Sequence, residues 1–236
     1  MRTLIHSALG LLLTGSLVQA QDERMILTVD EPLAEHVEQL DIKIEFGFGE
    51  IILERGNPAK AVTGFIQYDE EYIRPFIKYI DDGSTARFKL ATKSRHDSWG
   101  IGGVRKDMDS PESELYFTTS VPLEIDFSCG LGEAHLDLGH LQVKELSMDN
   151  GLGETTLDFS TLNGAILRYV SVDNGLGELQ ARRLSNARTK KLSVDCGLGS
   201  ADLDFSGEEY ADMEVDINVG LGSVTLKIPK GYNVEL

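Results

Sequence analysis

The sequence predicts an all-β chain wound as a parallel β-solenoid of the stacked-coil type, with about 22 residues and two strands per coil. Three observations lead there. The tripeptide Gly-Leu-Gly recurs at Gly130-Leu131-Gly132, Gly151-Leu152-Gly153, Gly175-Leu176-Gly177, Gly197-Leu198-Gly199 and Gly220-Leu221-Gly222, at steps of 21, 24, 22 and 23 residues. Apolar and polar residues alternate on both sides of each copy, the period of a strand with one face inward and one in water. Residue types also match column by column between copies, which favours equivalent strands stacked about 4.8 Å apart. The competing arrangement is an antiparallel sandwich in which each Gly-Leu-Gly closes a hairpin.

Residues 1–20 read as a secretory signal peptide. Arg2 supplies the positive start, residues 4–18 are mostly apolar, and Val18-Gln19-Ala20 offers small residues at the positions a signal peptidase reads. The apolar run carries His6, Ser7, Thr14 and Ser16 and falls short of the ~20 residues of a comfortable membrane span. No cysteine follows it to take a lipid anchor. An exported protein of the periplasm, cell envelope or extracellular space is expected, with no integral membrane span after cleavage.

Charge narrows the partners. The chain carries 22 Lys+Arg against 39 Asp+Glu, a formal net charge of −17. That excess disfavours nucleic acid and anionic membrane surfaces. Two cysteines are too few for a disulfide-dense scaffold.

Residues 21–120 form the N-terminal part of the β domain. A degenerate corner, Gly47-Phe48-Gly49, starts the series. Residues 31–40 could be a helical turn or the lead-in to the strand at 40–46. Residues 61–68, 74–81 and 85–92 read as three strands, set apart by Asp69-Glu70-Glu71 and Asp82-Gly83-Ser84. A polar loop over residues 93–114 follows, with Gly100, Gly102, Gly103 and Pro111 around the lone Trp99. Such a length suits a surface loop, mobile or carrying an exposed binding Trp.

Residues 121–236 hold the solenoid repeats, continuous with the preceding part. Five residues before the first glycine stand Ile42, Ile125, Leu146, Val170, Leu192 and Val215; three before it stand Ile44, Phe127, Met148, Val172, Val194 and Ile217. Six after it stand Leu53, Leu136, Leu157, Ala181, Leu203 and Leu226. Each repeat is therefore strand, glycine corner, strand, loop. The paired glycines suit a sharp bend, and the Leu between them is expected to drop inward. One coil buries about six apolar side chains at roughly 1.5–3 kcal/mol each, against roughly 1–2 kcal/mol of ordering per residue. A lone coil loses that contest, so neighbours must complete it.

At this point the residues resemble a known family. Residues 40–53, with the sequence LDIKIEFGFGEIIL, residues 121–133, with VPLEIDFSCGLGE, and the repeated corners look like the toast-rack domains. These comprise candidate adhesins and the C-terminal domain of the LiaF-type cell-wall-active-antibiotic response proteins. The likeness spans about residues 38–236. The family pattern is Gly-small-Gly-Asp/Glu after an alternating strand, whereas this chain has Leu or Phe in the middle. The resemblance implies a β-solenoid on the outer side of a membrane without an established catalytic centre. LiaF members carry transmembrane helices ahead of this domain and restrain an envelope-stress sensor kinase; here a signal peptide stands in that place.

Chemical candidates are few. Cys129 and Cys196 both precede a first glycine and lie three coils apart, roughly 14 Å at strand spacing, beyond the ~7 Å a disulfide allows. Both are expected as buried free thiols. Asn150 and Asn174 share their column and could form an amide ladder along the axis. Asp149, Asp173 and Asp195 make one acidic column; Glu50, Glu133, Glu154 and Glu178 make another. Either could attract a hard cation, but a solvated acidic face is the simpler expectation, and neither a metal nor a cofactor is assigned. Arg182 falls in a column with Asp158 and Asp204, and Arg183 where an apolar residue belongs, so that coil should be irregular. His135 is expected on an outward face and His140 in a connection. No His-x-x-x-His, Cys-x-x-Cys, Gly-x-Ser-x-Gly or phosphate loop occurs. The sequence thus reads as a non-catalytic envelope or surface module, adhesin-like or stress-related. Its partner would be an envelope protein or a surface glycan, met through Trp99 and the segment 68–79. The second reading is a carbohydrate-binding or carbohydrate-active solenoid using Glu133 and Glu154.

Overall fold

The computed structural model describes residues 18–19, 24–94, 111–208 and 210–235. Among these residues twelve strands join into one sheet system: β1 Val18–Gln19, β2 Arg24–Pro32, β3 Gln39–Arg55, β4 Lys60–Asp69, β5 Ile73–Asp82, β6 Thr85–Ser94, β7 Glu112–Phe117, β8 Leu123–Asp137, β9 Val143–Asp158, β10 Tyr169–Arg182, β11 Lys191–Asp204 and β12 Glu214–Lys227. Among the described residues a single 3-10 turn, Leu184–Ala187, interrupts them. The order is β1-β2-β4-β7-β3-β8-β9-β10-β11-β12, with the β5–β6 hairpin laid on β3.

From β3 through β12 consecutive long strands pair in parallel and in register, so the hairpin alternative falls. Gly132 pairs with Gly153, Gly153 with Gly177, Gly177 with Gly199 and Gly199 with Gly222. The two strands expected in each coil run as one continuous strand bent at its glycines. The connections require that bend. Strand β8 would be about 46 Å long if straight, yet only residues 138–142 carry the chain back to β9, a reach of about 23 Å at most. The strand must fold back on itself, bringing its two arms face to face.

The core lies between the arms. In β8, Ile125, Phe127 and Cys129 of the first arm and Ala134 and Leu136 of the second are buried, and the same columns are buried in β9, β10 and β11. Leu138, Leu141 and Val143 fill in from the connection. Between Cys129 and Ala134 the two-residue alternation slips by one, so the inward phase restarts after each corner.

The N-terminal end is closed by a different device. β3 has β6 beside its first arm and β7 beside its second, both parallel, so two separate strands replace one lower coil. β5 then pairs antiparallel with β6, and β4 and β2 follow antiparallel on β7. The three strands expected over residues 61–92 match β4, β5 and β6 closely. Sequence reasoning missed β2, and it missed β7 within the expected loop 93–114. That loop's residues 95–110, Trp99 included, lie outside the described residues, as do the signal-peptide residues except Val18 and Gln19, which form β1 against β2. Residues 31–38 contain no helix: β2 ends at Pro32, and a turn leads into β3.

Two buried asparagines stitch the connections together. Asn163 accepts from the Val143 backbone N–H at 2.8 Å and donates to the Val143 carbonyl at 2.7 Å and the Ala187 carbonyl at 3.2 Å. Asn186 donates to Phe159 O at 2.9 Å and accepts from Glu208 N–H at 2.9 Å. Amides thus link successive coils in the loops, not at the corners.

Candidate functional site

The glycine corner builds a distinctive edge. Any Cβ on the second glycine of β8 to β12 (Gly132, Gly153, Gly177, Gly199, Gly222) would overlap the carbonyl oxygen of the second glycine one coil earlier. The first glycines are nearly as tight: a Cβ on Gly130 would stand 2.8 Å from the Gly47 oxygen, and one on Gly220 2.7 Å from the Gly197 oxygen. At the start of the stack Gly47 and Gly49 meet Thr92 and Pro111 instead. The corners are glycine because backbone packs directly on backbone there.

With no room inside the bend, the intervening side chain turns outward. Leu152, Leu176, Leu198 and Leu221 are 45%, 43%, 47% and 74% exposed. This overturns the expected inward Leu; only Phe48, at the opposite end of the column, is buried. In-register pairing stacks Leu131, Leu152, Leu176, Leu198 and Leu221 into one apolar ridge along the corner edge.

Beside the ridge runs the aspartate column. Asp149, Asp173 and Asp195 pair in register, and Asn218 continues the row, its Nδ2 donating to Asp195 Oδ1 at 2.8 Å. These residues and the first glycines Gly175, Gly197 and Gly220 line an open groove of about 530 Å³. Burial, then the charges of Asp195 and Asp149, raises the Asp173 pKa above the ordinary carboxylate value.

The inward neighbours of that column are Cys129, Asn150, Asn174 and Cys196, all buried and stacked in register. Both thiols are free and three coils apart, as expected. Burial pushes the Cys129 pKa to about 11. The expected amide ladder is absent: Asn174 Nδ2 donates within its own corner, to Gly177 O at 3.2 Å, and both amide atoms of Asn150 are buried without a partner.

The glutamate column, Glu50, Glu133, Glu154 and Glu178, also stacks in register. Glu133, Glu154 and Glu178 are exposed and do not line the groove. His135, outward as expected, puts Nε2 3.8 Å from both Glu50 Oε1 and Glu133 Oε2. Ligand atoms of these three side chains lie within 4.8 Å of one another, a spread that could hold a divalent cation. When protonated, the imidazole also offsets repulsion between the two carboxylates.

The remaining candidates fall elsewhere. His140 sits in the β8–β9 connection with φ 63°. Arg182 stacks in register on Asp158, as expected, and its charge favours the ionised carboxylate. The direct ion pair to Asp158 comes from Arg183, while Arg182 donates to Gln180 Oε1 at 2.7 Å. Arg183 takes a left-handed conformation ahead of the 3-10 turn, the irregularity anticipated for that coil, and Leu184 fills the core beyond it. Tyr79 is half-buried and its hydroxyl donates to Pro32 O at 3.1 Å, so the 68–79 segment is partly committed to the fold. The ridge was the surface that sequence reasoning missed. Its one available signal was the invariance of a large apolar residue where glycines leave no interior space.

Among the described residues no helix is long and apolar enough to cross a membrane. The sequence matches the family described as the N-terminal domain of toast_rack, DUF2154, over residues 18–182 and 161–227. No curated protein matches significantly. Among solved structures, the chain is similar to a proposed cell adhesion protein from Clostridium sporogenes, with a TM-score of 0.60 at 20% identity, covering 86% of this chain and 98% of that one. A proposed adhesin from Bacteroides fragilis is more distant, with a TM-score of 0.35 at 12% identity, covering 86% and 97%.

Proposed function

The chain belongs to the toast-rack family, and from that premise we propose that it is an exported, non-catalytic surface module that binds its partner along the glycine-corner edge. The observation carrying this reading is the ridge of exposed leucines. A monomeric protein rarely leaves aligned large apolar side chains in water without a use for them. Here they border an acidic groove, so an extended ligand with apolar and cationic groups would match both rows. The cell-adhesion role proposed for the Clostridium protein agrees with a surface task. The signal-like residues 1–20 supply the route to it.

Changing Leu152, Leu176 and Leu198 together to Ser tests the assignment, since all three side chains already face water. Retention of the full chain on native envelope preparations should fall by about tenfold or more, with an unchanged thermal melt. Undiminished retention would move the binding face elsewhere. The carbohydrate reading has support from the exposed glutamates and makes the opposite forecast: Glu133→Gln with Glu154→Gln would abolish binding to a glycan array, and the Ser variants would not.

A further inference from the structure

We infer that the last coil is a self-complementary interface, and that two copies of this chain join end to end through antiparallel pairing of their β12 strands. At the N-terminal end of the stack β6 and β7 and the antiparallel strands beyond them cover the core columns of β3, leaving β1 and β5 as edge strands. At the other end β12 is itself a terminal strand with a neighbour on one side only. The core columns stop there uncovered. Val219 and Leu226 are 41% exposed, and Val215, Ile217 and Val224 are half-buried, although their counterparts Leu192, Val194, Cys196, Ala201 and Leu203 on β11 are buried.

The occupant is read from the sequence of β12 itself. In the β11–β12 ladder Cys196 pairs with Val219 and Leu198 with Leu221, while Gly197 and Gly220 stand out of the ladder. With Gly220 set aside, Leu221 is the midpoint of β12, with six residues in each arm (214–219 and 222–227). A two-fold axis through Leu221 stacks one bent strand on the other with the arms exchanged. It sets Ile217 against Val224 and Val215 against Leu226, apolar on apolar. It sets Asn218 against Ser223 and Asp216 against Thr225, polar on polar. At the ends it sets Glu214 against Lys227, twice per dimer. The slip of alternation at the corner makes this possible, because it gives the two arms opposite parity. Glu214 has no ion pair among the described residues, and Lys227, 72% exposed, reaches Asp204 from one side only. The junction would cover both open edges, extend the core across the axis and join the two leucine ridges into one.

Sedimentation equilibrium of the full chain in 0.15 M salt, where repulsion between the two acidic bodies is screened beyond about 8 Å, tests the arrangement. The expected mass at micromolar concentration is twice the 25.9 kDa of one chain. E214K or K227E alone should weaken the dimer by roughly tenfold, and the double swap E214K/K227E should restore it to within about threefold. Leu221→Lys changes a side chain already in solvent, so it should give a folded monomer by circular dichroism. A monomer at 100 µM (roughly a hundredfold above the micromolar affinity expected of such an interface) would overturn the inference. So would a dimer indifferent to Leu221→Lys, or a double swap no better than its parents; a further coil from another chain would leave the purified protein monomeric.

Discussion

Gly199 meets the carbonyl oxygen of Gly177 on the preceding coil so closely that no Cβ fits between them. The same approach recurs at Gly132, Gly153, Gly177 and Gly222, which makes the corner a column of backbone on backbone. Substituting Gly199 by Ala should therefore cost about 3 kcal/mol, because neither neighbour is a side chain that can swing away. Gly83→Ala is the control: φ is 69° there but open space surrounds the site, so strain of about 1 kcal/mol is the whole cost. Denaturant melts of the two variants should differ by at least the difference between those figures.

The asparagines separate into two classes with opposite expected signs. Asn163→Ala strands backbone groups of Val143 and Ala187 in the interior and should destabilise by about 3 kcal/mol. Asn150→Leu removes two amide atoms that have no partners, so it should be neutral or stabilising by about 1 kcal/mol. An Asn150→Leu protein melting well below wild type would mean that its amide is satisfied after all.

Cys129 links stability to alkaline pH. Its thiol titrates near 9.0 when unfolded and about 11 in the fold. The folded state therefore holds its proton longer, and stability is unaffected below about pH 9 and declines as pH rises through 11. Comparing denaturant midpoints at pH 8 and pH 10.5 should show a steeper drop for wild type than for Cys129→Ala. Parallel drops would exclude the linkage. Mass spectrometry of the non-reduced protein should show no bridge from Cys129 to Cys196.

Asp173 works in the other pH range. Burial and the flanking Asp195 and Asp149 raise its pKa, so its ionised form opposes folding above the unfolded value near 3.8. Asp173→Asn should stabilise at pH 7 by a few tenths of a kcal/mol, a small gain because the side chain is exposed and solvent screens it. The gain should vanish as pH falls below about 4, where wild-type Asp173 is already protonated in both states. A benefit that persisted at pH 3 would trace to packing instead of charge.

The period, the columns and the thiol separation were legible because they are properties of spacing. A 22-residue step with Ile125, Leu146, Val170 and Leu192 in one column has one economical solution, and the register confirms it. β4, β5 and β6 were legible by alternation and turn residues. β7 was not, since Glu112–Phe117 is short and earns its place by pairing with β3 and β4, partners far away in the chain. The direction of Leu152, Leu176, Leu198 and Leu221 was hidden for a related reason. Hydrophobicity says that a leucine prefers burial, but whether space exists depends on how close two coils approach.

By itself, the sequence determined which residues are equivalent: glycine spacing and alternation of period two establish stacked coils, their inward columns and their acidic stripes, because these follow from local repetition along the chain. Only the tertiary structure decided what lies inside and outside at the corner, which asparagines bond across coils, and which end of the stack stays open. Those depend on distances between segments remote in sequence, where carbonyl oxygens of one coil take the space that a side chain of the next would need.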